Sequence, residues 1–310
     1  MASASAKKRR SISLSRREAI WAYILISPWI IGFIIFTAGP MIASAVLSLT
    51  DYSVVSPARF VGLENWRYMF IDDPLFWHSL KVTLTYAFAA IPLGLVLGLA
   101  LALLLNANVP GLMIWRTLFY MPSVVSGVAV SVLWSYIFNP RFGIFNWILG
   151  WFGIKGPAWL GSPDWAMPAL IIMSLWGVGG GMIIYLAGLQ GIPTALYEAA
   201  TIDGANKWHQ FWRITLPLIT PVILYNLVTG IIGTFQFFTQ VYVMTNPPGS
   251  PANSTLVYNL YLYVNTFRWN RFGFGSAMAW FLMFVVLGMT MLVFRSSALW
   301  VYYEGELRGR

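Results

Sequence analysis

Covalent chemistry needs a nucleophile beside a base, or a cluster of metal ligands, and this sequence offers neither pattern. Its 310 residues include two histidines, His78 and His209, and no cysteine. Neither histidine has the companions of a catalytic triad or a zinc site, so both read as structural or solvated side chains. The lack of cysteine leaves the redox compartment open. No G-x-x-x-x-G-K-[ST] loop is present to cradle the phosphates of ATP. Asn253-Ser254-Thr255 is a weak match to the glycosylation sequon. What remains is non-covalent chemistry. Gly233, Gln236 and Gln240 recur at intervals of three and four in an apolar stretch, so on one helix they would share a face. An unpaired amide in an apolar medium is costly, and that face must therefore meet a cavity or a partner helix. A second group combines Glu198 and Asp203 with Ala199, Ala200, Gly204 and Ala205 in one short polar segment.

The elements that must position these residues are membrane spans. The chain is 58% hydrophobic and only 9% charged, whereas an average soluble domain is about a quarter charged. A soluble chain of this length could not hide so much apolar surface. A helix needs about 20 apolar residues to cross the hydrocarbon core, and six stretches qualify: 20–49, 82–105, 118–138, 165–189, 218–244 and 274–294. None has Lys, Arg, Asp or Glu in its interior. The sequence thus predicts an all-α membrane protein with about six transmembrane helices. Its divisions are a basic tail at 1–17, a membrane domain at 18–303 and a short tail at 304–310. The first stretch is longer than a span requires, so Pro28 and Gly39-Pro40 are expected to kink or divide it. Its apolar run is also too long for a secretory signal, despite the basic residues before it and Ala43-Ser44-Ala45 within it.

The net charge of +9 is distributed unevenly. With the N-terminus inside, twelve Lys and Arg fall in the tails and inner loops and seven in the outer loops. Basic residues favour the cytoplasmic side, so both termini and the loop 190–216 are expected there. Trp21, Tyr52, Tyr120, Trp134, Tyr136, Trp165, Tyr242 and Trp300 lie near predicted span ends, as an interfacial aromatic belt would. The outer loops 51–81, 139–164 and 245–273 are rich in Pro, Gly and aromatics and are expected to form short helices and turns.

The inner loop is different. Leu196, Tyr197, Ala200, Trp208, Phe211 and Trp212 are spaced for two short amphipathic helices. Thr194 is placed to cap the first, and Asp203-Gly204 to break it from the second. Lipid-binding interfacial helices carry Lys and Arg on their polar face. Here Glu198 and Asp203 stand there with small alanines, which suits a protein groove better than anionic lipid. The segment Glu198-Ala199-Ala200, Asp203-Gly204-Ala205, then Ile214 and Leu216-Pro217, resembles the EAA loop of binding-protein-dependent ABC import permeases. The resemblance extends along most of the chain. Phe60-Val61-Gly62-Leu63-Glu64-Asn65-Trp66, Asp73-Pro74, Phe138-Asn139-Pro140, Gln240-Val241-Tyr242 and Gly275-Ser276-Ala277 are similar to the maltose/glycerol-phosphate type of sugar permease. Thr239, where that branch often has Asp, and Asn246-Pro247-Pro248-Gly249, in place of its Gly-rich turn, depart from the pattern near the outer gate.

The resemblance implies a subunit of a bacterial or archaeal plasma-membrane importer. Its partners would be a second homologous permease, two ATP-binding cassette subunits and an extracellular solute-binding protein. The chain would bind no cofactor and no nucleic acid, with ATP and Mg held by the partner ATPase. Glu198, Ala199, Ala200, Asp203, Gly204 and Ala205 would couple to that ATPase. The substrate path would run near the midplane along Trp176, Gly177, Thr229, Gly233, Gln236 and Gln240. Gln236 and Gln240 could equally hydrogen-bond the second permease. Gly177, Gly179, Gly180 and Gly181 crowd into one turn of the fourth span, and whether it is broken stays open. A coupled secondary carrier usually needs ionisable groups within the membrane, and these spans have none. The same lack of charge favours a neutral sugar or oligosaccharide over a solute such as glycerol phosphate.

Overall fold

The computed structural model describes residues 14–107, 110–245 and 248–302. Residues 1–13, 303–310, Asn108-Val109 and Asn246-Pro247 lie outside the described residues, and with them most of both tails and half of the departing turn.

Four helices or helical runs are long and apolar enough to cross a membrane, and two bent pairs raise the number to six. The first run joins α1 (Leu14–Phe33) to α2 (Gly39–Leu47) through a π-helical turn, Ile34–Ala38. Pro40 has no N–H to donate, and the widened turn, closed by the Gly39 amide on the Ile34 carbonyl, absorbs the defect. None of α1 is buried, whereas α2 packs on the last span, where the Trp280 indole donates to Ser44 at 3.1 Å. Arg16 and Arg17 are helical, in the first described turn of α1.

The first outer segment holds a hairpin absent from the sequence-based expectation. Strands β1 (Thr50–Ser53) and β2 (Ser56–Phe60) pair antiparallel, with Thr50 opposite Phe60. Asn65, in the short helix α3 (Glu64–Arg67), donates to the carbonyls of Ser48 and Thr50 and ties the hairpin down. The second span, α4 (Pro74–Leu105), begins two turns before the apolar stretch because Asp73 caps it, accepting from the Leu75 amide. It is the central strut of the molecule and packs on the fourth and fifth spans.

The third apolar stretch is not one helix. α5 (Leu112–Val124) and α6 (Gly127–Ile137) meet at 100°. Pro122 cannot donate, and Val125 and Ser126 turn extended. After α7 (Ile144–Trp151) in the outer loop, the fourth stretch divides into α8 (Pro163–Leu175) and α9 (Gly179–Gln190), bent by 43°. This resolves the open question about the glycine turn. Gly179 lies so close to the Phe119 carbonyl of α5 that a β-carbon there would collide with it.

The inner loop folds as α10 (Thr194–Ile202) and α11 (Lys207–Gln210), followed by a π-helical turn, Phe211–Thr215. The fifth span is α12 (Leu216–Phe235), interrupted at residues 236–238 and resumed as α13 (Thr239–Met244). In the last outer loop α14 (Tyr258–Tyr263) runs into a π-helical turn, Val264–Arg268, before the final span α15 (Phe272–Trp300). One apolar cluster fills the outer half, around Phe76, Tyr86, Phe138, Leu170 and Tyr258. Another joins α4, α9 and α12 towards the inner loop, around Ala102, Met182, Leu189 and Ile219. Trp134 belongs to the outer cluster and is buried against Phe138 and Phe145, so it is a packing residue rather than part of an interfacial belt.

Candidate functional site

The inner loop is a rigid bracket built from its own backbone. At the end of α10 the Ala205 amide donates to the Ala200 carbonyl at 2.8 Å and the Gly204 amide to the Thr201 carbonyl at 3.1 Å. These two bonds close a left-handed helix terminus, and Gly204 supplies its φ of +82°. Asn206 then caps α11 by accepting from the His209 amide at 2.9 Å, which accounts for His209 as a structural residue. Gln210 is buried and bridges the two helices, donating to Thr201 Oγ1 and the Ala205 carbonyl. Tyr197 shares a hydrogen bond with Thr215, at 2.9 Å, which fastens the bracket to the foot of the fifth span. Helix α10 starts one residue earlier than the sequence suggests: Thr194 is its first residue, and Pro193 occupies the cap without a side-chain bond.

This bracket presents Glu198, Ala199, Asp203 and Gly204 to the outside, with Ala200 and Ala205 half-buried behind them. Ile202, beside the turn, is 87% exposed, and Trp208 and Trp212 stand out as well. Ile202 was not among the predicted contact residues. Its helical spacing gave it no distinction, and only the turn at Gly204 shows that it projects.

A second site lies where the third, fourth and fifth spans all lose regular helix. The breaks at 125–126, 176–178 and 236–238 surround a cavity of about 270 Å³. Irregular backbone at membrane depth is tolerated where it faces protein or a cavity, and here it does. Trp176, Gly177 and Gln240 all line this space, with Ser123, Ser174 and Tyr86. The Trp176 ring stands edge-on to Trp134 at 6.1 Å. Phe237, freed by the interruption of the fifth span, stacks on Tyr86 with centroids 4.3 Å apart.

The interruption also separates residues expected on one face. Gln236 and Gln240 do not share a helix: Asn259 takes the Gln236 carbonyl, and the chain turns before α13 begins. Gln236 instead lines a mostly apolar groove of about 780 Å³ against α14 and α15. Thr229 lines a third space between the second, fourth and fifth spans, and Gly233 is exposed with open space beside it. No Lys, Arg, Asp or Glu lines any of these three cavities among the described residues. Tyr86, Ser174 and Asn226 carry polar groups to them and were not predicted. Each stands alone in an apolar run, with no sequence pattern to mark it.

The outer segments form a tied platform. Tyr261 donates to both oxygens of the buried Asp73 at 2.8 Å, the Tyr258 amide donates to Thr83, and the Tyr258 hydroxyl to the Met278 carbonyl. Burial, and then the hydrogen bond to Asp73, hold the Tyr261 phenol well above its ordinary pKa; burial does the same for Tyr258. His78 contacts the Asn253 carbonyl at 2.9 Å and so has a structural place.

A bundle of broken spans around an uncharged cavity, with a rigid helical bracket at one end, is the architecture of a membrane permease. Residues 90–303 match the family described as binding-protein-dependent transport system inner membrane component. The chain belongs to that family. It is 43% identical over 302 residues to the probable ABC transporter permease protein YesP of Bacillus subtilis, covering 97% of this chain and 96% of the relative. It is 34% identical to the trehalose/maltose transport system permease protein MalF of Thermococcus litoralis, with 90% and 94% covered. It is 36% identical to the lactose transport system permease protein LacF of Rhizobium radiobacter, with 92% and 96% covered. Among solved structures it is similar to a chain of a bacterial alginate ABC transporter in complex with an alginate pentasaccharide-bound periplasmic protein. That match has a TM-score of 0.81 at 27% identity and covers 91% of this chain and 95% of the other.

Proposed function

We propose that this chain is one of two homologous permease subunits of an importer for a neutral sugar or oligosaccharide. A solute-binding protein delivers the sugar to the outer platform, and two separate ATP-binding cassette subunits, which hold ATP and Mg, drive the transport cycle. The exposed face of the bracket, from Glu198 to Ala205 with Ile202, docks in a cleft of the cassette subunit. Both termini and the bracket lie in the cytoplasm. The observation that carries this reading is the uncharged cavity at the meeting of three helix breaks, with an aromatic plane at Trp176 and an amide at Gln240. Sugars are held by aromatic faces and a few directed hydrogen bonds, whereas a phosphate or carboxylate would call for a cation. Relatives named for trehalose, maltose and lactose transport support the same substrate class.

The test is reconstitution in proteoliposomes with the neighbouring permease, ATPase and binding protein. Uptake of maltose, trehalose and lactose is measured against glycerol 3-phosphate. ATP-dependent uptake of at least one sugar that requires the binding protein is the expected result. Uptake of glycerol 3-phosphate alone would replace the neutral sugar with an anion.

A further inference from the structure

We infer a second sugar station on the cytoplasmic side of the helix breaks, between the second, fourth and fifth spans, in which the Tyr185 hydroxyl and the Asn226 amide bind a ring hydroxyl. It rests on the sugar-importer reading above and places a step of the path beyond the cavity at the breaks. The space is about 310 Å³, at the small end of ligand pockets, and suits one sugar ring. It adjoins the cavity at the breaks through Tyr86 and Ser174, which line both. Its other polar lining includes two residues roughly two to three helical turns nearer the bracket. Tyr185 lies in α9, beyond the break at 176–178, and Asn226 lies in α12, before the interruption at 236.

Tyr185 is the distinctive residue. It is only 1% exposed, and its hydroxyl has no hydrogen-bond partner. Buried phenols normally find one. Its ring is held in place from the other side, 3.4 Å from where a β-carbon on Gly98 would stand. Asn226 is 9% exposed and spends its amino group on the Val222 carbonyl, and Gly181 comes close to its oxygen. Tyr185 and Asn226 thus line one cavity with no charged residue in its lining, and a phenol hydroxyl with an amide oxygen matches the paired donor and acceptor character of a sugar hydroxyl. Gly94 lines the same cavity with nothing within 4 Å of its β-carbon position. The glycine pair Gly94-x-x-x-Gly98 therefore does more than pack helices: Gly98 seats Tyr185, and Gly94 leaves room for a ligand.

The experiment uses the reconstituted complex with its binding protein and maltose, trehalose and lactose as probes. Tyr185→Phe removes one oxygen and keeps the ring on Gly98. Gly94→Leu fills the space from the opposite wall. The expected result is an uptake rate about three- to tenfold lower in Tyr185→Phe, the loss of one neutral hydrogen bond. Basal ATP hydrolysis should be retained, and the unfolding temperature of the complex unchanged or higher. Gly94→Leu should lower uptake too, again with basal ATP hydrolysis intact. Uptake at the wild-type rate and KM in both variants overturns the station. So does a loss of uptake that is accompanied by loss of basal ATPase activity and a lower unfolding temperature, since that marks a packing role alone. A wild-type complex that imports none of the sugars overturns the sugar reading and the station together.

Discussion

At Gly204 the backbone takes a left-handed φ of +82°, with nothing within 4 Å of its β-carbon position. The constraint there is therefore conformational and not steric crowding. A β-branched residue in that region costs roughly 1–2 kcal/mol. Gly204→Val should leave the membrane bundle assembled but reorient Ile202 and Asp203. ATP hydrolysis in the reconstituted complex should then lose its stimulation by loaded binding protein, and normal stimulation would remove the turn from the coupling surface. In the substrate path the two glutamines should behave differently. Trp176→Ala and Gln240→Leu alter the cavity at the breaks and should lower uptake roughly tenfold, equivalent to about 1.4 kcal/mol. Gln236→Leu changes only the groove against α14 and α15 and should leave sugar selectivity intact. Equal loss in all three variants would place Gln236 on the path after all.

Among the elements, the outer platform depends on few bonds. Asp73 caps the 32-residue α4 and receives Tyr261 from α14, so one carboxylate joins segments nearly 190 positions apart in sequence. Losing a cap costs about 0.5–2 kcal/mol, and a hydrogen bond to a charged group about 1.5–3 kcal/mol. Asp73→Ala should raise amide hydrogen exchange across residues 258–268 in the purified complex and leave residues 194–216 unchanged. Exchange unaltered at 258–268 would show that the platform holds without the carboxylate. The raised pKa values of Tyr258 and Tyr261 carry a sign. Their protons are held in the native state above about pH 10, where an exposed tyrosine ionises. Their contribution is therefore complete below that pH and is lost as pH rises further. The unfolding temperature should fall above about pH 10, less steeply in Tyr261→Phe; an unchanged slope would remove Tyr261 from the linkage.

For the whole molecule, the charge bias predicts that the bracket lies inside and the hairpin outside. The chain lacks cysteine, so single cysteines report its orientation without background. Val55→Cys at the exposed hairpin tip should react with an impermeant maleimide in intact cells. Lys207→Cys should react only after the membrane is opened, and leaves the Asn206 cap in place. The opposite pattern would invert the topology.

The membrane class, the approximate span count and the bracket with its Gly204 turn were legible in the sequence. Apolar length, helical spacing and a glycine after an acidic residue are local properties that act over a few neighbouring positions. The family resemblance was legible for the same reason, since the Glu198–Ala205 segment is contiguous. The breaks were only half legible. Pro122 and the glycine run at 177–181 hinted at two of them. The interruption at 236–238 depends on Asn259 taking a carbonyl and on Phe237 stacking on Tyr86, contacts that no window along the chain contains. The hairpin at Thr50–Phe60 was hidden in a loop without a hydrophobic alternation. Which polar groups meet was decided by tertiary structure alone. Tyr86, Ser174, Tyr185 and Asn226 come from three spans and line one space because those helices pack against one another. Gln236 and Gln240, four residues apart, line separate cavities because the backbone turns between them.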